Sequence, residues 1–216
     1  MKKINFHIIS LFPEVFQVYF NSSIIGRAQT KGIIKINYYQ LRDFLNTDKD
    51  RLDGRPYGGG PGMVIKAPVV IKAVRQIIGR KKKVKVIFLD PRGYQFDDEI
   101  AENWSESFQH LVLVAGRYEG IDARAAEILT ADKVSIGSYI LSGGELPAMV
   151  VVDAVARRLP GVLGSGDSLE DTRPAGSAIY TRPEIIKDKG KHYSVPAVLK
   201  SGHHQKINQW KKKTNK

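Results

Sequence analysis

The 216-residue sequence predicts an α/β fold built on a largely parallel sheet. Two observations carry that expectation. Short runs rich in Ile, Val and Leu alternate along the chain with stretches whose apolar residues recur at helical spacing. Two of those runs, Val84 to Leu89 and Leu111 to Val114, are almost continuously apolar, as strands covered on both faces must be.

The elements follow in order. Ile4, Phe6 and Ile8 alternate with Asn5 and His7, which predicts a strand running to about Leu11. Pro13 opens a helix with an apolar face of Val15, Phe16, Tyr19 and Phe20, because the first helical N–H needs no partner. Ser22 or Ser23 caps a second short helix that stops at Gly32, and a strand follows from Ile33 to Tyr39. After a polar, glycine-rich stretch from Arg42 to Pro61, Val70, Ala73, Val74, Ile77 and Ile78 predict a helix from Pro68 to Ile78, closed by Gly79. Val84 to Leu89 is a buried strand ending in the turn Asp90-Pro91-Arg92-Gly93. Asp97 caps a helix through Trp104, and Leu111 to Val114 is the next buried strand. A helix from Asp122 to about Leu129, a strand at Val134 to Ile136 and a helix from Glu145 to Leu159 complete the α/β region. Gly164 to Ala178 reads as a linker. Pro196 to Leu199 and Ile207 to Trp210 predict short helices in a basic tail with Trp210 as its packing anchor; its few apolar residues are too few to fold alone.

Composition narrows the function classes. With 42% hydrophobic residues the chain can bury a core, and without cysteine it has no disulfides, thiol nucleophiles or iron–sulfur clusters. Met1-Lys2-Lys3 resembles the start of a signal peptide, but Asn5, His7 and Pro13 interrupt the apolar stretch, so a cytoplasmic protein is expected. The formal net charge is +12, with one basic block at Arg80 to Lys85 and another in Lys200 to Lys216, which holds six lysines and no acid. That balance favours a polyanionic partner, with RNA, DNA and acidic membrane all open. His203 and His204 lack an acidic neighbour to complete a metal site, and His7 and His110 fall at strand positions, which makes them structural.

Gly58-Gly59-Gly60-Pro61-Gly62 lacks the Lys-Ser/Thr of a phosphate-binding P-loop. Its glycines let backbone approach a ligand, and Arg55 and Tyr57 beside it suit a flat base. The first strand runs into Phe12-Pro13-Glu14 without a glycine pair, against a dinucleotide-binding fold. Glycine turns follow three later strands instead: Asp90 to Gly93, Gly116 to Gly120, and Ser135 to Gly137 leading to Ser142-Gly143-Gly144-Glu145. In an open parallel sheet such turns lie outside the carboxyl ends of strands, so three of them imply one cofactor pocket.

Four ordered segments carry a resemblance. Arg55 to Met63 (RPYGGGPGM), Gly116 to Asp122 (GRYEGID), Ser142 to Met149 (SGGELPAM) and Tyr180 to Pro183 (YTRP) resemble the signatures of the TrmD family of bacterial tRNA (guanine-N1-)-methyltransferases, and the likeness runs from Ile9 to His203. It implies a SPOUT-type domain over residues 1–163 with a deep trefoil knot at about 86–160, a linker at 164–178, and a short α-helical, tRNA-binding C-terminal domain at 179–216. It also implies a homodimer that methylates the tRNA guanosine just 3′ of the anticodon across the subunit interface. S-adenosylmethionine would be held by Leu89, Pro91, Gly116, Arg117, Tyr118, Glu119, Ser135, Ile136, Gly137, Tyr139, Leu141, Gly143, Gly144 and Pro147. Arg55, Tyr57, Gly58, Gly59, Gly62, Ser201 and Gly202 would meet the tRNA. The catalytic pair falls on Asp171 and Arg157. Only the resemblance separates Asp171 from Glu170 and Asp167, and Arg157 would otherwise complement a helix dipole. No resident metal is implied, and Mg²⁺ would enter only as an added ion rather than on a ligand set in these residues.

The residue types suit the implied reaction. Guanine N1 must lose a proton to become nucleophilic, which a carboxylate such as Asp171 can accept. The charge that then spreads to O6 suits a guanidinium such as Arg157. The sequence departs from the family where Gly54 and Ser138 replace usual aspartates, and it ends at Lys216, short of a further helical segment that most members carry. The lysine tail is the expected partial substitute. A basic RNA-binding protein on the same fold, with catalysis weakened, is the alternative reading.

Overall fold

The computed structural model describes residues 3–47, 49–163 and 178–213. The chain divides into two units, Met1–Gly164 and Ser165–Lys216. In the first, a five-stranded sheet is formed by β1 (Ile4–Ser10), β2 (Ile34–Gln40), β5 (Val84–Gln95), β6 (His110–Ala115) and β7 (Asp132–Ser135), in the order β2-β1-β6-β5-β7. Every pairing in it is parallel. Two short strands, β3 (Asp53–Gly54) and β4 (Val64–Ile65), pair antiparallel outside it.

The continuous apolar runs divide by residue parity between two cores, as side chains on a pleated strand must. Ile87, Leu89, Leu111 and Leu113 join Ile4, Phe6 and Ile8 on one face, while Val86, Phe88, Val112 and Val114 join Ile9 on the other. The first face is covered by α2 (Ser23–Thr30), α4 (Asp98–Ser107) and α6 (Glu145–Arg157), and the second by α3 (Ala67–Ile78) and α5 (Ala123–Ile128). The three layers follow from that division. Asp97 and Asp122 cap α4 and α5, accepting from the backbone N–H of Ile100 and Arg124 at 2.9 and 3.1 Å. Among the described residues no helix is long and apolar enough to cross a membrane.

Several elements differ from expectation. The stretch after Pro13 is a 3-10 turn (Pro13–Phe16) followed by a single α turn, α1 (Gln17–Phe20); Phe16 and Phe20 are buried, whereas Val15 and Tyr19 are exposed. Ser22 stands at the start of α2, but its hydroxyl donates to the Val18 carbonyl at 2.6 Å, an acceptor left over from the preceding turn. The strand from Val84 does not stop at Asp90. Leu89 and Tyr94 both pair with Val134, so Asp90 to Gly93 loop out as a bulge and β5 resumes to Gln95.

His7 on β1 and His110 on β6 meet on the α3 side, Nε2 to Nδ1 at 3.2 Å, and Tyr39 Oη lies 3.0 Å from His7 Nδ1. Burial, then the neighbouring His110, Lys81 and Lys35, press His7 down to about 4.

The second unit, expected to be α-helical, also contains a hairpin. Strands β8 (Ile185–Asp188) and β9 (Lys191–Ser194) pair antiparallel across Lys189 and Gly190, both at positive φ, the two-residue turn that matches strand twist. Helices α7 (Ala197–Lys200) and α8 (His204–Lys213) follow, with the Trp210 ring 6.2 Å from that of Tyr180 and Lys200 paired with Glu184. The linker, except Ala178, lies outside the described residues.

Candidate active site

Strands β5, β6 and β7 are neighbours, so the connections at their carboxyl ends converge. The Asp90 to Gly93 bulge, the Gly116 to Gly120 loop after β6 and the loop from Ile136 to Gly144 enclose a cleft of about 250 Å³. All the residues expected to hold a cofactor, from Leu89 and Pro91 through Gly116 to Glu119, Ser135 to Gly137, Tyr139 and Leu141 to Gly143, Gly144 and Pro147, line it.

Backbone approach builds the cleft. After β7 at the sheet edge the chain returns past β5, and Gly144 N–H donates to the Gly116 carbonyl at 2.9 Å. A Cβ on Gly144 would lie 2.7 Å from Ala115 Cα, so only glycine lets this return strap lie against the end of β6. Tyr118 adopts φ 61°, a conformation unfavourable for a bulky residue, which leaves its ring half exposed on the wall.

The glycine-rich loop between β3 and β4 is fastened to the same wall. Glu119 N–H donates to the Met63 carbonyl at 3.0 Å, Ile65 N–H to Gly120 at 2.9 Å, and Asp122 N–H to Ile65 at 2.9 Å. Gly62 packs on Glu119, whose Oε1 would lie 2.6 Å from an added Cβ. Beyond that anchor the loop is open: Arg55, Gly58 and Gly59 are exposed and Tyr57 is 99% exposed. The loop thus offers an aromatic face and a cation to solvent next to the cleft.

Two aspartates lining the cleft are paired with arginines two residues further on. Asp90 accepts from Arg92 N, Nε and Nη2 at 2.9 Å each, and the guanidinium holds its carboxyl below the usual carboxylate range. Arg124 forks onto Asp122 in the same way, with Nη2 2.6 Å from Oδ2, and likewise lowers that carboxyl. Behind the cleft, Glu145 at the first turn of α6 is 4% exposed, accepts from Ser10 Oγ at 2.8 Å and lies 3.0 Å from Arg117 Nε.

Other expected residues stand elsewhere. Arg157 is the last residue of α6, and twelve residues of helical rise place it about 18 Å from Glu145. Ser201 and Gly202 form the turn between α7 and α8, where Ser201 Oγ donates to the Val198 carbonyl at 2.7 Å and Gly202 has φ 71°. Asp171 lies outside the described residues. Among the described residues no group of three His, Cys, Asp or Glu could hold a metal ion. The buried partnership of Glu145 with Ser10 and Arg117 was absent from the expectation; its one local signal is a carboxylate, in Gly-Gly-Glu, opening an otherwise apolar helix.

Comparison with known proteins places this architecture. The sequence model of the family described as tRNA (Guanine-1)-methyltransferase TrmD matches residues 4–216. The chain is 44% identical over 213 residues to a tRNA (guanine-N(1)-)-methyltransferase of Pseudoalteromonas atlantica, covering 96% of this chain and 78% of the relative. It is 44% identical over 210 residues to the enzyme of that name from Dictyoglomus turgidum, covering 95% and 82% of the two. With that of Staphylococcus epidermidis the figures are 42% over 207 residues, 94% and 82%. A match running through the sheet, the three cleft loops and the tail alike makes this chain a member of the TrmD family of tRNA (guanine-1)-methyltransferases.

Proposed function

We propose that this chain transfers a methyl group from S-adenosylmethionine to N1 of the guanosine immediately 3′ of the anticodon in tRNA. The observation that carries the reading is the convergence of three glycine-bearing loops on one cleft in a chain of this family.

The cleft suits the methyl donor. Its lining is largely apolar, with aromatic Tyr118 and Tyr139 and the backbone of Leu89, Gly116, Ile136 and Leu141 within reach of an adenine and a ribose. S-adenosylmethionine, when bound there, supplies a sulfonium-activated methyl group. The chain's own part is to orient the guanine, with Arg55, Tyr57 and the open Gly58-Gly59 backbone beside the cleft as its platform. Asp171 takes the N1 proton, so that the N1 lone pair forms the new bond to carbon as the carbon–sulfur bond breaks. Arg157 stabilises the charge developing on O6.

Arg157 serves a cleft built by a second copy. It stands at the opposite end of α6 from its own chain's cleft, on the helix face that also carries exposed Leu146 and Val150. A homodimer packed on that face would bring Arg157 toward the partner's cleft. The return of the chain past β5 to Gly116 is what a trefoil knot in residues 86–160 requires, and we assign one there. The second unit, with the Ser201-Gly202 turn and the lysines beyond it, grips the tRNA.

The test is methyl transfer from radiolabelled S-adenosylmethionine to two tRNA transcripts identical except for G or A 3′ of the anticodon, followed by nucleoside analysis. Label in 1-methylguanosine from the G transcript alone is the expected result. Binding of both transcripts with no label in either would leave an RNA-binding protein and overturn the catalytic reading.

A further inference from the structure

We propose that Glu145 is a positioning residue for the cofactor cleft, its buried carboxylate fixing the Arg117 guanidinium in the cleft wall. The inference rests on the reading of that cleft as the S-adenosylmethionine site.

A carboxylate as buried as this one is costly unless it is paired and hydrogen-bonded. Both conditions are met by elements distant in sequence. Ser10, at the end of β1, donates to Oε1 at 2.8 Å and is itself held in place by accepting from Phe12 N–H at 2.9 Å. Oε2 lies 3.0 Å from Arg117 Nε, although the N–H is not directed at the oxygen, so that contact is Coulombic. The position at the start of α6 adds the favourable end of the helix dipole. Ser10 and Arg117 thus hold the two carboxylate oxygens, one each, and the guanidinium sits against the second of them.

Arg117 is constrained from two further directions. Its guanidinium lies 4.8 Å over the Phe12 ring, and Nη1 reaches the Ser142 carbonyl at 3.4 Å. Arg117 and Ser142 both line the cleft, so the pair forms part of its wall. The backbone is shaped around it: a Cβ on Gly143 would fall 2.4 Å from Glu145 Oε2 and 2.5 Å from Arg117 Nε. The ion pair thereby ties the ends of β1 and β6 to the strap that closes the cleft. If the carboxylate is neutralised, the guanidinium loses the partner that orients it, and the wall loosens with the helix core intact.

The experiment is a double-mutant cycle on the full chain with calorimetric titration of S-adenosylmethionine, and thermal melting of each variant as a control. Glu145→Gln, which keeps an acceptor for Ser10, is expected to weaken binding about 10-fold, the scale of losing one close charge pair. Its kcat at saturating cofactor should change far less than its KM. In an Arg117→Ala background the same substitution should have no further effect, because its action passes through Arg117. Additive effects in the cycle would overturn the positioning role while leaving the cofactor reading intact. A wild-type chain that does not bind S-adenosylmethionine would remove the cofactor reading itself. If Glu145→Gln fails to fold, the cycle run with Ser10→Ala, expected at about 3-fold, is judged by the same criterion.

Discussion

Gly144→Ala is the sharpest test of how the cleft is built. The added Cβ would sit 2.7 Å from Ala115 Cα and 2.9 Å from Gly116 N, roughly 1 Å inside normal contact distances. Both obstacles are backbone at the end of a central strand, so neither can swing aside. Gly144 has φ −83°, so the substitution carries no conformational strain of its own and the clash is the whole effect. Relief requires moving the start of α6 by about 1 Å, which stretches the 2.9 Å bond from Gly144 N–H to the Gly116 carbonyl. Overpacking of this kind costs about 1–3 kcal/mol, and a weakened hydrogen bond adds up to about 1 kcal/mol. At about 2–4 °C per kcal/mol for a chain of this size, the melting temperature should fall by roughly 2–16 °C. The same shift displaces the Gly116 loop, and misplacement on that scale can lower methyl transfer by about 10²-fold. Gly54→Ala is the control: its Cβ would meet only Lys66 Cε at 3.6 Å, an ordinary contact, and stability should stay within about 0.5 kcal/mol. Differential scanning calorimetry and the radiolabel assay read both variants. A Gly144→Ala protein that melts within a degree of wild type and methylates normally would refute the close-approach argument.

The His7–His110 contact predicts acid sensitivity. With His7 lowered to about 4 from an ordinary 6.5, the folded state favours the neutral ring, so its contribution is complete above about pH 6.5 and lost as pH falls toward 4. The loss should be about 2 kcal/mol between pH 8 and pH 5, and His7→Asn should flatten the difference in urea midpoints between those two pH values. The tail predicts salt dependence: neutralising Lys211, Lys212 and Lys213 together should reduce the slope of log tRNA affinity against log salt by roughly 2–3, and an unchanged slope would remove the tail from the RNA contact.

What was legible in the sequence was local. The apolar runs at Val84 and Leu111 reported strands covered on both faces because both faces had to be apolar. The hairpin at Ile185 was not legible because all of its residues are exposed, so no alternation marks it; only the glycine at 190 signalled a turn. Nor could local pattern show that β5 runs past Pro91, since that depends on Leu89 and Tyr94 sharing one partner on another strand. The three cleft turns were visible as glycine punctuation, but their convergence depends on the order β6-β5-β7, which periodicity does not encode.

The least legible feature is the one with the most specific chemistry. Ser10 and Glu145 are 135 residues apart and meet only because α6 packs across β1 and β6, with the strap of Ser142 to Gly144 delivering its first turn to the end of β1. Read alone, Ser10 is a strand terminus and Glu145 an acidic residue suited to a helix dipole. Burial changes what the pair means: removed from water, the carboxylate must find partners, and those available are a hydroxyl on one strand and a guanidinium on the loop beside it. One end of α6 therefore organises the cleft of its own chain, while Arg157 lies about three turns away on the face that carries exposed Leu146 and Val150. On the proposed reading, that division makes methyl transfer depend on association and cofactor binding independent of it. A substitution such as Leu146→Asp on the exposed face should then abolish the first and spare the second.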